Sequence, residues 1–300
     1  MSMFSWKTLV ATAAALSFTV TVTAHADDDW TPLYVGQKSH IGFGAGFGFN
    51  FNDNGTAVGV QPYVAGRVRL DDTWGILVDV PAMYASFDGG AFGNISRFEM
   101  GNITLAAEYR LDELISSYSR IRFGVALPLV SPAGNGSLGQ LKDVFGQVVN
   151  IGLAAGARGL FDLWRVMPDT FSLFGEFQGE AHFDEVYMDI NAGLGLLMPT
   201  SDFSEFEMVM QLRARLGYGV NAIVFGGIGM VVIPTETGVK VGGNGGDGDA
   251  FQLGLQAGGI FKIGPARLDA WVQLNIDNPA GFSFSEEGVF GFHLAALVPL

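Results

Sequence analysis

Between Thr170 and Thr200 the chain alternates apolar and polar residues with a period of two, interrupted only at Asp184 and Glu185. Before the interruption Phe171, Leu173, Phe177, Ala181 and Phe183 share one face; after it Val186, Met188, Ile190, Ala192, Leu194, Leu196 and Met198 do. Period two puts such residues on one side of a strand. Read as a hairpin with a two-residue turn, the segment pairs Phe183 with Val186, Ala181 with Met188 and Phe177 with Ala192, so each apolar residue meets an apolar or small one. The other face pairs Gln178 with Asn191 and Glu180 with Asp189. Such a sheet needs oil on one side and water on the other. In a soluble protein the oil is a core; in a transmembrane barrel it is lipid, and the polar row faces the lumen.

The same alternation recurs along the chain. It predicts strands over His40–Phe51, Ala57–Leu70, Trp74–Ser86, Glu99–Leu111 and Arg120–Val130 in the first half, with a glycine-rich loop over 87–97. At least one more strand is expected between Phe145 and Leu163, and a turn or short strand over 164–169. Beyond the hairpin, Met208–Tyr218, Ala222–Val232, Phe251–Phe261, Arg267–Ile276 and a last segment ending at Leu300 alternate as well. Thirteen segments can be marked, whereas bacterial barrels close with an even number. Twelve strands are expected, with fourteen as the runner-up. The fold class is therefore all-β: a transmembrane antiparallel up-and-down barrel.

Composition supports lipid over a private core. The chain is 49% hydrophobic and 15% charged, yet after residue 26 no segment offers about 20 consecutive apolar residues for a helical span. Lys7, the apolar run Leu9–Val22 and Ala24-His25-Ala26 read as a secretory signal peptide with its cleavage site, so 1–26 is set aside and 27–300 is taken as one barrel domain. That implies the outer membrane of a Gram-negative bacterium. Many of the 43 glycines sit inside strands, as in Ile41–Phe49, where they permit tight curvature. Tyr84, Tyr109 and Tyr218, with Trp30 and Tyr34, suit interfacial girdles. Without Lys7 there are 15 basic against 30 acidic residues, a net charge of −15, which argues against nucleic acid as a partner. The expected partners are membrane lipid and lipopolysaccharide, the outer-membrane assembly machinery and a small solute.

Candidate chemistry is concentrated on the polar face of the hairpin and the strand after it. Glu176, Gln178, Glu180, His182, Asp189 and Asn191 form one row. In simple register Arg213 faces Asn191 and Arg215 faces Asp189, giving a Glu180, Asp189, Arg215 cluster inside the lumen. These eight are the candidate pore-lining residues; the plainer alternative is that the charges only satisfy one another. Ser172 lies ten residues from His182, roughly 33 Å along one strand, so no nucleophile and base are placed together. His40 and His293 stand alone in strands. Residues 242–247 match the start of a G-G-x-G-x-D calcium repeat, a motif that works by stacking copies, and only one is present. There is no cysteine, no phosphate loop and no H-E-x-x-H, so neither a cofactor nor a metal is expected.

From Trp74 to Gly134 the order of features resembles outer-membrane transporters encoded with aromatic-degradation (meta-pathway) operons: Pro81 and Tyr84, Gly101-Asn102, Tyr109-Arg110, then Leu127-Pro128 before a Ser/Pro/Gly loop. Asn102 stands where that family carries Asp. The resemblance implies passage of hydrophobic small molecules, and the alternating final segment is similar to the closing strand of bacterial barrels, with Leu300 where Phe or Trp is usual. The expected function is thus a channel or transporter for small solutes, not an enzyme. The alternatives are an anchoring barrel with a filled interior and, last, an outer-membrane hydrolase.

Overall fold

The computed structural model describes residues 38–52, 55–88, 93–111, 118–131, 138–201, 206–234, 251–276 and 289–300. The signal segment, Trp30, Tyr34 and the 242–247 loop lie outside the described residues. Thirteen strands follow one another: β1 (His40–Asn52), β2 (Gly55–Arg69), β3 (Trp74–Asp88), β4 (Asn94–Met100), β5 (Ile103–Leu111), β6 (Tyr118–Leu127), β7 (Thr170–Phe183), β8 (Val186–Pro199), β9 (Glu207–Tyr218), β10 (Ala222–Val232), β11 (Phe251–Ile263), β12 (Ala266–Asn275) and β13 (Val289–Pro299).

All strand pairs are antiparallel, and β1 pairs with both β2 and β13, which closes the sheet. Closure leaves no open edge at the seam, and every inter-strand bond stays within the wall. Strands β4 and β5 are two halves of one stave: β4 lies against Ala82–Asp88 and β5 against Trp74–Asp79 of the same β3. The barrel therefore has twelve staves, the number expected. Part of the stretch read as a glycine-rich loop is β4, and the strand read over Glu99–Leu111 is broken at Gly101-Asn102.

The hairpin of β7 and β8 has the register its alternation demands, with Phe183 opposite Val186, Gln178 opposite Asn191 and Glu180 opposite Asp189. Asp184 takes the left-handed conformation at the turn (φ 51°), which a short polar residue tolerates. Burial is inverted relative to a soluble protein. Phe43, Val64, Phe123, Leu212, Val224 and Ile228 are exposed on the outside, whereas Gln61, Glu108, Asp189 and Gln252 are almost wholly buried inside. Trp74 and Tyr109 meet edge to face at 4.9 Å on the outer surface near the short-turn end.

The strand expected between Phe145 and Leu163 is instead a helix, α1 (Leu138–Ala157), followed by a 3-10 turn at Leu163–Arg165. The connection from β6 to β7 dives into the barrel from the loop end. A closed barrel offers no free edge inside, so a segment entering the lumen must bond its backbone to itself, and a helix does that. Gly159, Leu160 and Asp162 take positive φ as the chain reverses beneath α1. Ile151, Ala154, Leu160, Phe161 and Val166 then pack against Met83, Leu197, Val209 and Val231 from the wall, a hydrophobic core in the loop-end half of the lumen.

Candidate functional site: the cavity beneath the plug

The plug, residues 138–169, is held by polar contacts matched to particular wall residues. Asn102, at the break between β4 and β5, donates through Nδ2 to the carbonyls of Trp164 (3.0 Å) and Met167 (2.7 Å). Its Oδ1 accepts from the amides of Leu129 (3.0 Å) and Val130 (3.2 Å), and its own amide bonds the Arg165 carbonyl. On the opposite wall Asn275 Nδ2 donates to the Gly156 carbonyl at 2.8 Å, and His293 Nε2 bonds the Ala157 carbonyl at 2.7 Å. These two bond carbonyls in the last turn of α1, where the Gly156 carbonyl also accepts from the Gly159 amide at 3.0 Å. Gln211 accepts from the Asp162 amide and donates to its carboxylate, at 2.9 and 3.0 Å. Arg165 pairs with Asp79, and Arg158 with Asp162.

Wall glycines are cut to this shape. A Cβ at Gly291 would lie 1.9 Å from the Ala157 carbonyl oxygen, one at Gly48 2.7 Å from that of Leu153, and one at Gly195 2.6 Å from the Trp164 ring. Trp164 stacks on Phe174 at 4.9 Å with the rings nearly parallel.

Beneath the plug lies a cavity of about 210 Å³. The plug contributes Arg158, Phe161, Asp162, Trp164 and Arg165; the wall contributes, among others, Tyr63, Asp79, Arg122, Glu176, Arg213 and Trp271. A site with charged groups at set positions among aromatic faces suits a small ligand with a polar head and an apolar body.

Of the residues singled out by sequence, Glu176, Gln178, Asn191 and Arg213 line this cavity. Asp189 is 2% exposed and receives Arg213 at 3.5 Å and Arg215 at 3.8 Å, and its register partner is Arg215. Glu180 lies beside Asp189, but its ion partner is Arg267 at 3.5 Å, and Gln178 donates to it at 3.0 Å. Arg215 turns to Gln256 (2.7 Å) and lies over the rings of Phe225 and Trp271. His182 stands apart, bonded to the Gly219 carbonyl at the turn end.

A second charged centre went unread. Glu108 is the shared partner of Arg67, Arg120 (3.3 Å) and Arg122 (3.0 Å), with the Tyr118 hydroxyl beside it. Its signal lay in the polar faces of β2, β5 and β6, which alternate as clearly as the hairpin, but Arg67 and Glu108 are 41 residues apart on staves that flank β3 and are not register partners. The plug residues carried no such signal. Among the described residues no group of three or more His, Asp or Glu side chains is placed to hold a metal ion.

No family model matches this sequence, and no curated protein does. Among solved structures, the chain is similar to an outer-membrane channel from Pseudomonas putida F1, 11% identical, over 92% of this chain and 100% of that one, with a TM-score of 0.53. It also aligns with the NanC porin, 6% identical, over 86% and 100% of the two chains, at 0.45. The likeness to the Pseudomonas channel establishes the fold as that of outer-membrane β-barrels.

Proposed function

We propose that the protein sits in the outer membrane of a Gram-negative bacterium, holds small solutes in its lumen and passes them, with the plug as the element that governs passage. The observation that carries this reading is a charged, aromatic-lined cavity inside a wall whose outer face is apolar. Twelve staves enclose more space than the eight at which side chains alone fill a barrel. The plug is an excursion between two strands that are already paired, since Ala126 of β6 faces Ser172 of β7 and the Asp169 amide bonds the Val130 carbonyl at 2.8 Å. Moving it breaks no barrel pair. In this reading the mature chain is exported behind its signal peptide, inserted by the assembly machinery, and surrounded by lipid and lipopolysaccharide. The resemblance over 74–134 adds hydrophobic molecules to the solutes expected. Catalysis is not part of the reading, because His182 and Ser172 lie at opposite ends of β7.

A second reading, an anchoring barrel with a filled interior, is favoured by the hydrophobic core that closes the loop-end half. One experiment separates them. Residues 132–167 are replaced by a short Gly-Ser linker, which the neighbouring ends allow, and liposome swelling is followed with small solutes. The passage reading expects slow swelling with the intact protein and several-fold faster swelling without the plug. Rates equal to empty liposomes for both proteins would leave the anchoring barrel as the answer.

A further inference from the structure

The charges around the cavity are not evenly shared. Arg67, Arg120 and Arg122 converge on Glu108, while Arg213 and Arg215 converge on Asp189. Glu176 adds one carboxylate, 3.7 Å from Arg122. Glu180 and Asp269 both belong to Arg267, and on the plug Arg158 and Arg165 are matched by Asp162 and Asp79. The surplus of guanidinium therefore lies with Glu108 and Asp189, and it is buried: Arg67 is 4% exposed and Arg215 7%. Donors are left over as well. Nε and Nη1 of Arg67, Nη2 of Arg215 and Nε of Arg213 and Arg165 are buried with no hydrogen-bond partner. Buried charge without compensation is among the costliest arrangements a fold can hold. Of these residues Arg213 and Arg165 line the cavity, and an anion held there would meet guanidinium groups with donors left over.

We propose that the cavity is a binding site for a small oxyanion, a carboxylate or phosphate group, held by Arg122 and Arg213 on the wall with Arg165 of the plug facing the same space. Arg122 and Arg213 are the two wall members of the surplus that line the cavity. A planar guanidinium fork matches two oxygens of a carboxylate or phosphate, where a spherical ion takes only one direction of approach. Trp271, Trp164 and Phe174 flank the remaining space and suit an apolar body attached to the acid group. At about 210 Å³ the cavity admits a small acid and not an acylated lipid. The inference deepens the solute reading by naming the chemistry of what the lumen holds, but its test does not require passage.

Whole protein in uncharged detergent micelles is titrated with acetate, inorganic phosphate and chloride, at ionic strength held by a sulfonate buffer too bulky for the cavity. Tryptophan fluorescence is the readout, because Trp164 and Trp271 line the site. Saturable responses to acetate and phosphate are expected. Arg213→Gln leaves Asp189 its partner Arg215 and should weaken both at least tenfold. Arg122→Lys keeps the charge, loses the fork, and should weaken both several-fold. Gel mobility of the folded form checks that each variant keeps its barrel. A wild-type protein with no saturable response, or affinity unchanged in both variants, would overturn the site. Saturation by chloride as tight as by acetate would overturn its assignment to an oxyanion. Binding without any liposome permeability would leave the site standing and remove the passage reading.

Discussion

Asn102 joins three pieces of backbone with one side chain. Its amide nitrogen serves two plug carbonyls and its oxygen accepts two amides from the exit of β6, and it is wholly buried. Asn is suited to this place because it offers donors and an acceptor from one planar group. Asn102→Asp keeps the shape and the acceptor but removes both donors and turns an anion toward the carbonyls of Trp164 and Met167. The cost should be about 1–3 kcal/mol for each carbonyl left without its donor. It should fall on the plug, since the backbone pairs of β5 with β3 and β6 are untouched. Limited proteolysis is the measurement: cleavage within 138–169 should appear in the variant while the barrel strands stay protected. A variant as resistant as wild type would mean that this side chain does not clasp the plug. In the sequence the position is visible only as part of a Gly101-Asn102 motif inside the strand expected over Glu99–Leu111. What made it a clasp was a break in the stave and a loop returning from more than 60 residues away, neither of which a period-two pattern encodes.

At the scale of elements, the strands were legible and the helix was not, for a common reason. A stave's residues face lipid on one side and lumen on the other, so the pattern repeats every two residues and even fixes the register of β7 against β8. The C-terminal half of α1 has no such division. Leu153, Ala154, Ala155 and Ala157 are all buried by the surrounding wall, and a segment apolar on every side has no period to read. The glycines were seen but assigned to curvature, whereas several are recesses for the plug. The difference is measurable. Gly291→Ala sets a methyl against backbone of α1, which cannot rotate aside, and should cost about 1–3 kcal/mol as overpacking does. Gly66→Ala meets nothing within 4 Å and should be neutral or slightly stabilising, because glycine weakens a strand interior. Equilibrium unfolding of the two variants, followed by tryptophan fluorescence, gives the comparison. Equal effects would mean that the plug does not press on the wall at Gly291.

For the molecule as a whole, the inversion of inside and outside settles what its sequence is fitted to. A chain with net charge −14 gathers guanidinium groups in its interior, where Glu108 and Asp189 hold five of them between two carboxylates, and turns Phe, Val, Ile and Leu outward. In water alone that surface would drive aggregation. Among acyl chains it is the stabilising face. Ile228 tests this because it lies near the middle of β10 on the outer surface, 48% exposed. It packs against no plug residue, so Ile228→Arg should leave the lumen and its contacts alone. The only environment the substitution changes is the one outside. If that environment is hydrocarbon, arginine near the midplane should cost about 2–4 kcal/mol, whereas Ile228→Leu should cost less than about 1.5 kcal/mol as a volume-conserving change. Reversible folding into phosphatidylcholine vesicles across a urea series measures both. Equal stability for Ile228→Arg and wild type would mean that no lipid meets this wall, and the apolar exterior would then need a protein partner to cover it.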